Sequence, residues 1–80
     1  FLATKIAFIN EMADLCEKTG AEIEDISLIM GLDKRIGPEF LKPGPGYGGS
    51  CFPKDTKSLV NIGQNYKAKQ TIVESVIASN

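Results

Sequence analysis

Apolar residues recur through residues 1–18 with the 3.6-residue period of a helix. The run FLATKIAFINEMADLCEK puts Leu2, Ile6, Ile9, Ala13 and Cys16 on one face. A second apolar stripe passes through Phe1, Phe8, Met12 and Leu15. Two stripes on one helix call for burial on more than one side. The pattern predicts a long first helix that packs internally on one face and meets a partner on the other. That partner is either a second copy or other parts of the same protein.

The punctuation that follows divides the rest of the chain. Thr19-Gly20 ends the first helix, with the glycine supplying a left-handed cap. Residues 22–30 (EIEDISLIM) read as a short helix through Ile23, Ile26 and Met30, with Ile29 alongside. Its acids lie in the first turn, where the helix dipole favours them. Gly31 is expected to cap it. Asp33 opens a short turn, DKRIG, that Gly37-Pro38 closes. Seven of the eleven residues 43–53 are Gly or Pro, a density that excludes helix and central strand. A helix is predicted over 55–65, carrying Leu59, Val60 and Ile62, with Pro53 suited to its first position. Residues 71–80 form a last helical segment through Ile72, Val73, Val76 and Ile77. The reading is all-α: helix, helix, turn, structured loop, helix, helix, with no run that alternates long enough to make a strand.

Composition narrows the classes. Eighty residues allow one small domain at most, and a chain this short buries only about 60% of its unfolded surface. A net charge of −1 argues against a nucleic-acid module, which would show a basic stripe. No apolar run approaches the roughly 20 residues of a membrane span, and no secretion-signal pattern is present. The chain has no histidine and two cysteines, Cys16 and Cys51, with no C-x-x-C. No metal site is therefore expected. A reducing cytosol is the expected setting, although a Cys16–Cys51 disulfide remains open on sequence alone. Phe1 begins inside a helical pattern without a capping residue, and the last segment stops without a terminator. The chain thus reads as a piece excised from something larger, the alternative being a complete helical mini-domain.

The Gly/Pro-rich loop is where chemistry is expected. A linker is the plain reading, but linkers are usually polar and flexible. This loop carries Tyr47, Cys51 and Phe52, and prolines stiffen it. Its glycines allow backbone N–H groups to approach a ligand. Cys51 precedes a helix start, where the dipole favours a thiolate, and Lys54 adds positive charge nearby. Cys51 is a candidate nucleophile or a structural cysteine. Asp55 is a candidate site acid or a first-turn helix acid. Cys16 shares the stripe of Ile9 and Ala13 and reads as buried packing. Without histidine, a Cys–His hydrolase is excluded within this chain.

The stretch FLKPGPGYGGSCFPKD, residues 40–55, closely resembles the nucleotide-sugar 6-dehydrogenase family. FLATKIAFINEMADLCEKTGAEIEDI resembles that family's central helix, and GLDKRIG the segment before its substrate loop, so the likeness covers nearly the whole chain. It implies a helical central dimerisation domain, residues 1–80, from a larger enzyme with two Rossmann-type α/β domains, one binding NAD and one binding UDP. The homodimer would form through the long first helix, which accounts for the second apolar stripe. The implied cytoplasmic reaction oxidises C6 of UDP-glucose twice, with two NAD⁺. A cysteine holds the intermediate as thiohemiacetal and then thioester, and UDP-glucuronate is released for polysaccharide synthesis.

Carried over by position, the resemblance makes Cys51 the nucleophile and Asp55 the aspartate that positions and activates water. Phe40, Leu41 and Lys42 would line the UDP-sugar. Tyr47 and Gly48 would lie near uracil, ribose or sugar. Lys54 would sit near the cysteine, bearing on cofactor or charge balance. Arg35 would reach across the dimer to the neighbouring subunit's substrate, a role suited to a planar guanidinium. The bland alternatives are loop packing for residues 40–42 and Tyr47, and solvated surface for Lys54 and Arg35.

The family's catalytic lysine and its partner asparagine lie before the segment matching Phe1; Lys5 and Asn10 are not those residues. The dinucleotide fingerprint is also missing, so these residues alone are expected to be inactive. GDP-mannose dehydrogenases share G-G-S-C-x-P-K-D but differ in the preceding loop, and N-acetylhexosamine relatives tend to carry His where this chain has Ser50. The loop resembles the UDP-glucose type. The competing classes are another nucleotide-sugar dehydrogenase, a non-catalytic helical dimerisation module, and a thiol redox sensor at Cys51.

Overall fold

The computed structural model describes residues 1–44 and 52–79. Its regular elements are helices α1 (Leu2–Thr19), α2 (Ile23–Gly31), α3 (Phe52–Asn65) and α4 (Thr71–Ser79). No strand occurs among the described residues, in keeping with the all-α reading. The chain forms two compact units, Phe1–Gly46 and Tyr47–Asn80.

In the first unit α1 packs on α2. Its inner face buries Ala3, Ile9 and Cys16, with Ile6 and Ala13 half-buried. Ile9 is fully buried, and removing such a side chain from water contributes about 1.5–3 kcal/mol. Cys16 lies on this buried face as a free thiol, as the stripe predicts. The stripe reading places Leu2 inside, but Ala3 takes the buried place and Leu2 is 41% exposed. The second stripe is solvent-facing: Phe1, Phe8 and Leu15 are all exposed and Met12 is half-buried.

Gly20 ends α1 as expected. It adopts φ 81° and its N–H donates to the Cys16 carbonyl at 2.9 Å, the single-bond left-handed cap. Thr19 Oγ1 donates to the Leu15 carbonyl at 3.0 Å, one turn back along the helix.

Gly31 departs from its expected role. It lies within α2, and the cap is Leu32 in right-handed geometry. A Cβ on Gly31 would fall 2.9 Å from Pro38 Cα. The glycine is there because residues 36–44 fold back onto the end of α2, and only a residue without a side chain lets that backbone so close.

In the second unit α3 packs on α4. Val76 is buried, and Val60, Val73 and Ile77 are half-buried. Two hydrogen bonds close the end of α3: Ala68 N–H to the Gly63 carbonyl at 2.7 Å and Lys67 N–H to the Gln64 carbonyl at 3.2 Å. With Lys67 at φ 58°, this is the double-bonded helix stop that usually carries glycine at the left-handed position. Gly63 is buried, and a Cβ there would fall 2.5 Å from the Ala68 carbonyl oxygen. The tight return to α4 therefore requires it. α4 begins with Glu74 N–H donating to the Gln70 carbonyl at 2.9 Å.

No helix of the described residues is long and apolar enough to cross a membrane.

Candidate functional site

The site begins where residues 33–44 leave α2 and cross α1. Asp33 organises the first turn. Its carbonyl accepts from Ile36 N–H at 3.0 Å and Gly37 N–H at 2.8 Å, and Gly37 closes the turn at φ 74°. Its carboxylate takes Arg35 in three ways. Oδ1 accepts the Arg35 backbone N–H at 2.8 Å and Nε–H at 3.0 Å, and Oδ2 accepts from Nη2 at 2.7 Å. The guanidinium and backbone of Arg35 hold the Asp33 carboxyl below the usual aspartate range, and Asp33 raises Arg35 in turn. The Arg35 side chain is 89% exposed. Its fork is held on one edge while it projects into solvent, a geometry suited to a second anion on the other edge.

Three side chains from the helices then fasten the backbone. Lys5 Nζ donates to the Ile36 carbonyl at 2.7 Å. Ser27 Oγ donates to the Leu41 carbonyl at 2.6 Å. The Asn10 side-chain carbonyl accepts the Gly44 N–H at 2.8 Å. Between these ties Phe40 sits at φ 64°, a left-handed conformation that costs a non-glycine residue on the order of 1–3 kcal/mol. The next residue, Leu41, is only 2% exposed and serves as core. Burial of Leu41 and its hydrogen bond to Ser27 offset the strain at Phe40.

A cavity of about 290 Å³ opens beside this segment. Phe1, Thr4, Lys5 and Phe8 of the α1 end, Met30 of α2, and Arg35, Ile36 and Leu41 line it. Its volume is at the small end of ligand pockets.

The structure thus brings Arg35 and Leu41 to one cavity. Phe40 and Lys42 flank Leu41, and Lys42 is exposed. Lys54 and Asp55 lie in the first turn of α3 and are exposed. An acid in that position favours the helix dipole, so the first-turn role of Asp55 holds whatever else it does. Thr56 Oγ1 donates to the Pro53 carbonyl at 3.1 Å in the same turn. Tyr47, Gly48 and Cys51 lie outside the described residues.

Sequence reading missed Lys5, Asn10 and Ser27 as parts of this region. Asn10 and Gly44 are 34 positions apart, and no local pattern marks such a contact. Asn10 gives the one available hint: an amide in the middle of a helix, where asparagine is a poor former.

With this geometry in place, comparison with known proteins defines the class. Over residues 1–80 the chain matches the UDP-glucose/GDP-mannose dehydrogenase family, central domain, and it belongs to that family. It is 66% identical over its whole length to a UDP-glucose 6-dehydrogenase of Rickettsia typhi and 58% identical to one of Rhizobium meliloti. Among solved structures it is similar to a UDP-glucose dehydrogenase from the hyperthermophilic archaeon Pyrobaculum islandicum, with a TM-score of 0.93 and 40% identity over the whole chain. The chain spans 18% of the length of each of these relatives.

Proposed function

We propose that these residues are the central domain of an NAD-dependent UDP-glucose 6-dehydrogenase, an oxidoreductase that produces UDP-glucuronate. The observation that supports this reading best is the likeness to UDP-glucose 6-dehydrogenases along all 80 residues. The described residues are helical and contain no strand–glycine loop–helix unit of the kind that binds a dinucleotide. The dinucleotide is therefore assigned to parts of the enzyme outside this chain, with Lys54 at most adjacent to it. When bound, it supplies hydride acceptance.

The residues of this chain supply the nucleophile and part of the substrate site. The Cys51 thiolate adds to the C6 aldehyde and forms a C–S bond, and the aldehyde oxygen takes a proton. Loss of hydride from C6 and of the hydroxyl proton leaves a thioester. Water, positioned by Asp55, adds to the thioester carbonyl, and the C–S bond breaks to give carboxylate and regenerate the thiolate. Phe40, Leu41, Lys42, Tyr47 and Gly48 line the nucleotide sugar. Arg35 extends from one protomer toward the substrate of its partner, in a homodimer built on the exposed face of α1. The product feeds polysaccharide synthesis.

The test is the NADH formed per UDP-glucose consumed by the whole enzyme. A ratio of about two supports two hydride transfers with the intermediate held at Cys51. A ratio of about one removes that role from Cys51. Turnover of GDP-mannose in place of UDP-glucose would keep the family and overturn the substrate.

A further inference from the structure

The segment proposed to line the nucleotide sugar does not hold its shape by itself. Phe40 stands in the left-handed region, the next residue, Leu41, is buried, and two side chains from different helices fix the backbone on either side of Lys42. Ser27 of α2 ties down the Leu41 carbonyl, and Asn10 of α1 receives the Gly44 N–H. The Ser27 bond is partly buried, so water competes weakly for it, while the Asn10 bond lies at the surface and spans 34 positions of the chain.

We propose that Asn10 and Ser27 are positioning residues for nucleotide-sugar binding. They act through the backbone of residues 40–44 and not by touching the substrate. The inference rests on the reading that residues 40–42 line the nucleotide sugar. Its chemistry is specific in direction. Asn10 must accept, because its partner is an N–H; Ser27 must donate, because its partner is a carbonyl. Gly44 belongs to the Gly/Pro-rich stretch that leads along the chain to Cys51. Asn10 thus fixes one point of that stretch near its start.

The direction of each bond supplies the control. In the whole enzyme, Asn10→Ala and Ser27→Ala each remove a tie, Asn10→Asp keeps the acceptor, and Ser27→Thr keeps the hydroxyl donor. Steady-state KM is measured for UDP-glucose and for NAD separately. The expected result is a KM for UDP-glucose raised about five- to tenfold in each alanine variant, the effect of one hydrogen bond, with the KM for NAD unchanged. Asn10→Asp and Ser27→Thr should recover most of the loss. A lower kcat with both KM values unchanged would mean only less folded enzyme and would overturn the proposal, as would equal rises in both KM values. Should one alanine variant fail to fold, the other site and its conservative partner carry the test. If the unaltered enzyme does not turn over UDP-glucose at all, the functional reading fails first, and the two failures are distinct.

Discussion

Gly31 and Pro38 meet backbone to backbone: a Cβ on Gly31 would lie 2.9 Å from Pro38 Cα. Alanine would otherwise suit this helical position, by about 1 kcal/mol in propensity. The contact reverses the sign, because the atom in the way belongs to the main chain and has no rotamer to change. Gly31→Ala should destabilise the protein by about 1–3 kcal/mol, the usual range for overpacking. Urea unfolding measures it, and an unchanged or higher midpoint would show that residues 36–44 can lift off α2 at no cost.

The second unit makes a paired prediction with opposite signs. Lys67 occupies the left-handed stop of α3 at φ 58°. Glycine relieves strain there but adds freedom to the unfolded chain, so Lys67→Gly should stabilise by a net of about 0.5–1 kcal/mol. Gly63→Ala should do the reverse, since its Cβ would strike the Ala68 carbonyl and the Gln70 side chain. Its cost should be about 1–3 kcal/mol. Thermal unfolding of the two variants checks both, and Tm shifts of the same sign would contradict the description of this turn.

These positions show what the sequence made legible. Gly20 was readable as a cap because it follows the last periodic residue of α1 and nothing else competes for the role. Gly31 carries the same local signature, yet its glycine is required by a residue seven positions away that folds back on it. Lys67 gave no warning, because a left-handed lysine is imposed by the geometry of the return to α4 and not by its own preference. Cys16 was legible as buried because its stripe is local. Ala3 in place of Leu2 was not, since the rotation of α1 about its axis depends on what α2 and residues 36–44 offer it. The candidate site divides in the same way. Arg35, in GLDKRIG, and residues 40–42 and Asp55, in the stretch 40–55, stand as candidates through the resemblance of those two segments, whereas Lys5, Asn10 and Ser27 join the region only through long-range contacts.

Asp33 and Arg35 give a pH prediction. The pairing lowers the Asp33 carboxyl, so its support of the turn is complete above the ordinary aspartate value of about 3.9. That support is lost as pH falls through the lower, folded value. The paired group is solvent-accessible, so salt should weaken the effect. An NMR titration should place the Asp33 midpoint below that of an unpaired aspartate, and Arg35→Ala should raise it toward the ordinary range, the backbone N–H of residue 35 keeping the smaller part of the effect. An Asp33 midpoint insensitive to Arg35→Ala would mean that the fork seen here is not held in solution. The same measurement bears on the role proposed for Arg35, since a guanidinium already held by Asp33 would have less freedom to lose on meeting an anion.

The exposed stripe of α1 carries the last prediction. Phe8 and Leu15 are 43% and 54% exposed and lie two helical turns apart, on the face assigned to the homodimer. Covering the exposed half of each contributes about 1 kcal/mol. A two-fold interface counts each side chain twice, which gives about 4 kcal/mol, or about three orders of magnitude in the dissociation constant. The double variant Phe8→Glu, Leu15→Glu should therefore dissociate the enzyme at concentrations where the unaltered protein is dimeric, as read by sedimentation velocity over a dilution series. Helical content should hold, because both side chains already reach solvent in the single chain. Phe8 also lines the cavity beside Arg35, so the effect on substrate is read from Leu15→Glu alone: if Arg35 acts on the partner's substrate, that variant should lose affinity for UDP-glucose on dilution and recover it in part as protein concentration rises. A double variant that stays dimeric would move the interface off this face of α1 and leave the stripe to other parts of the enzyme.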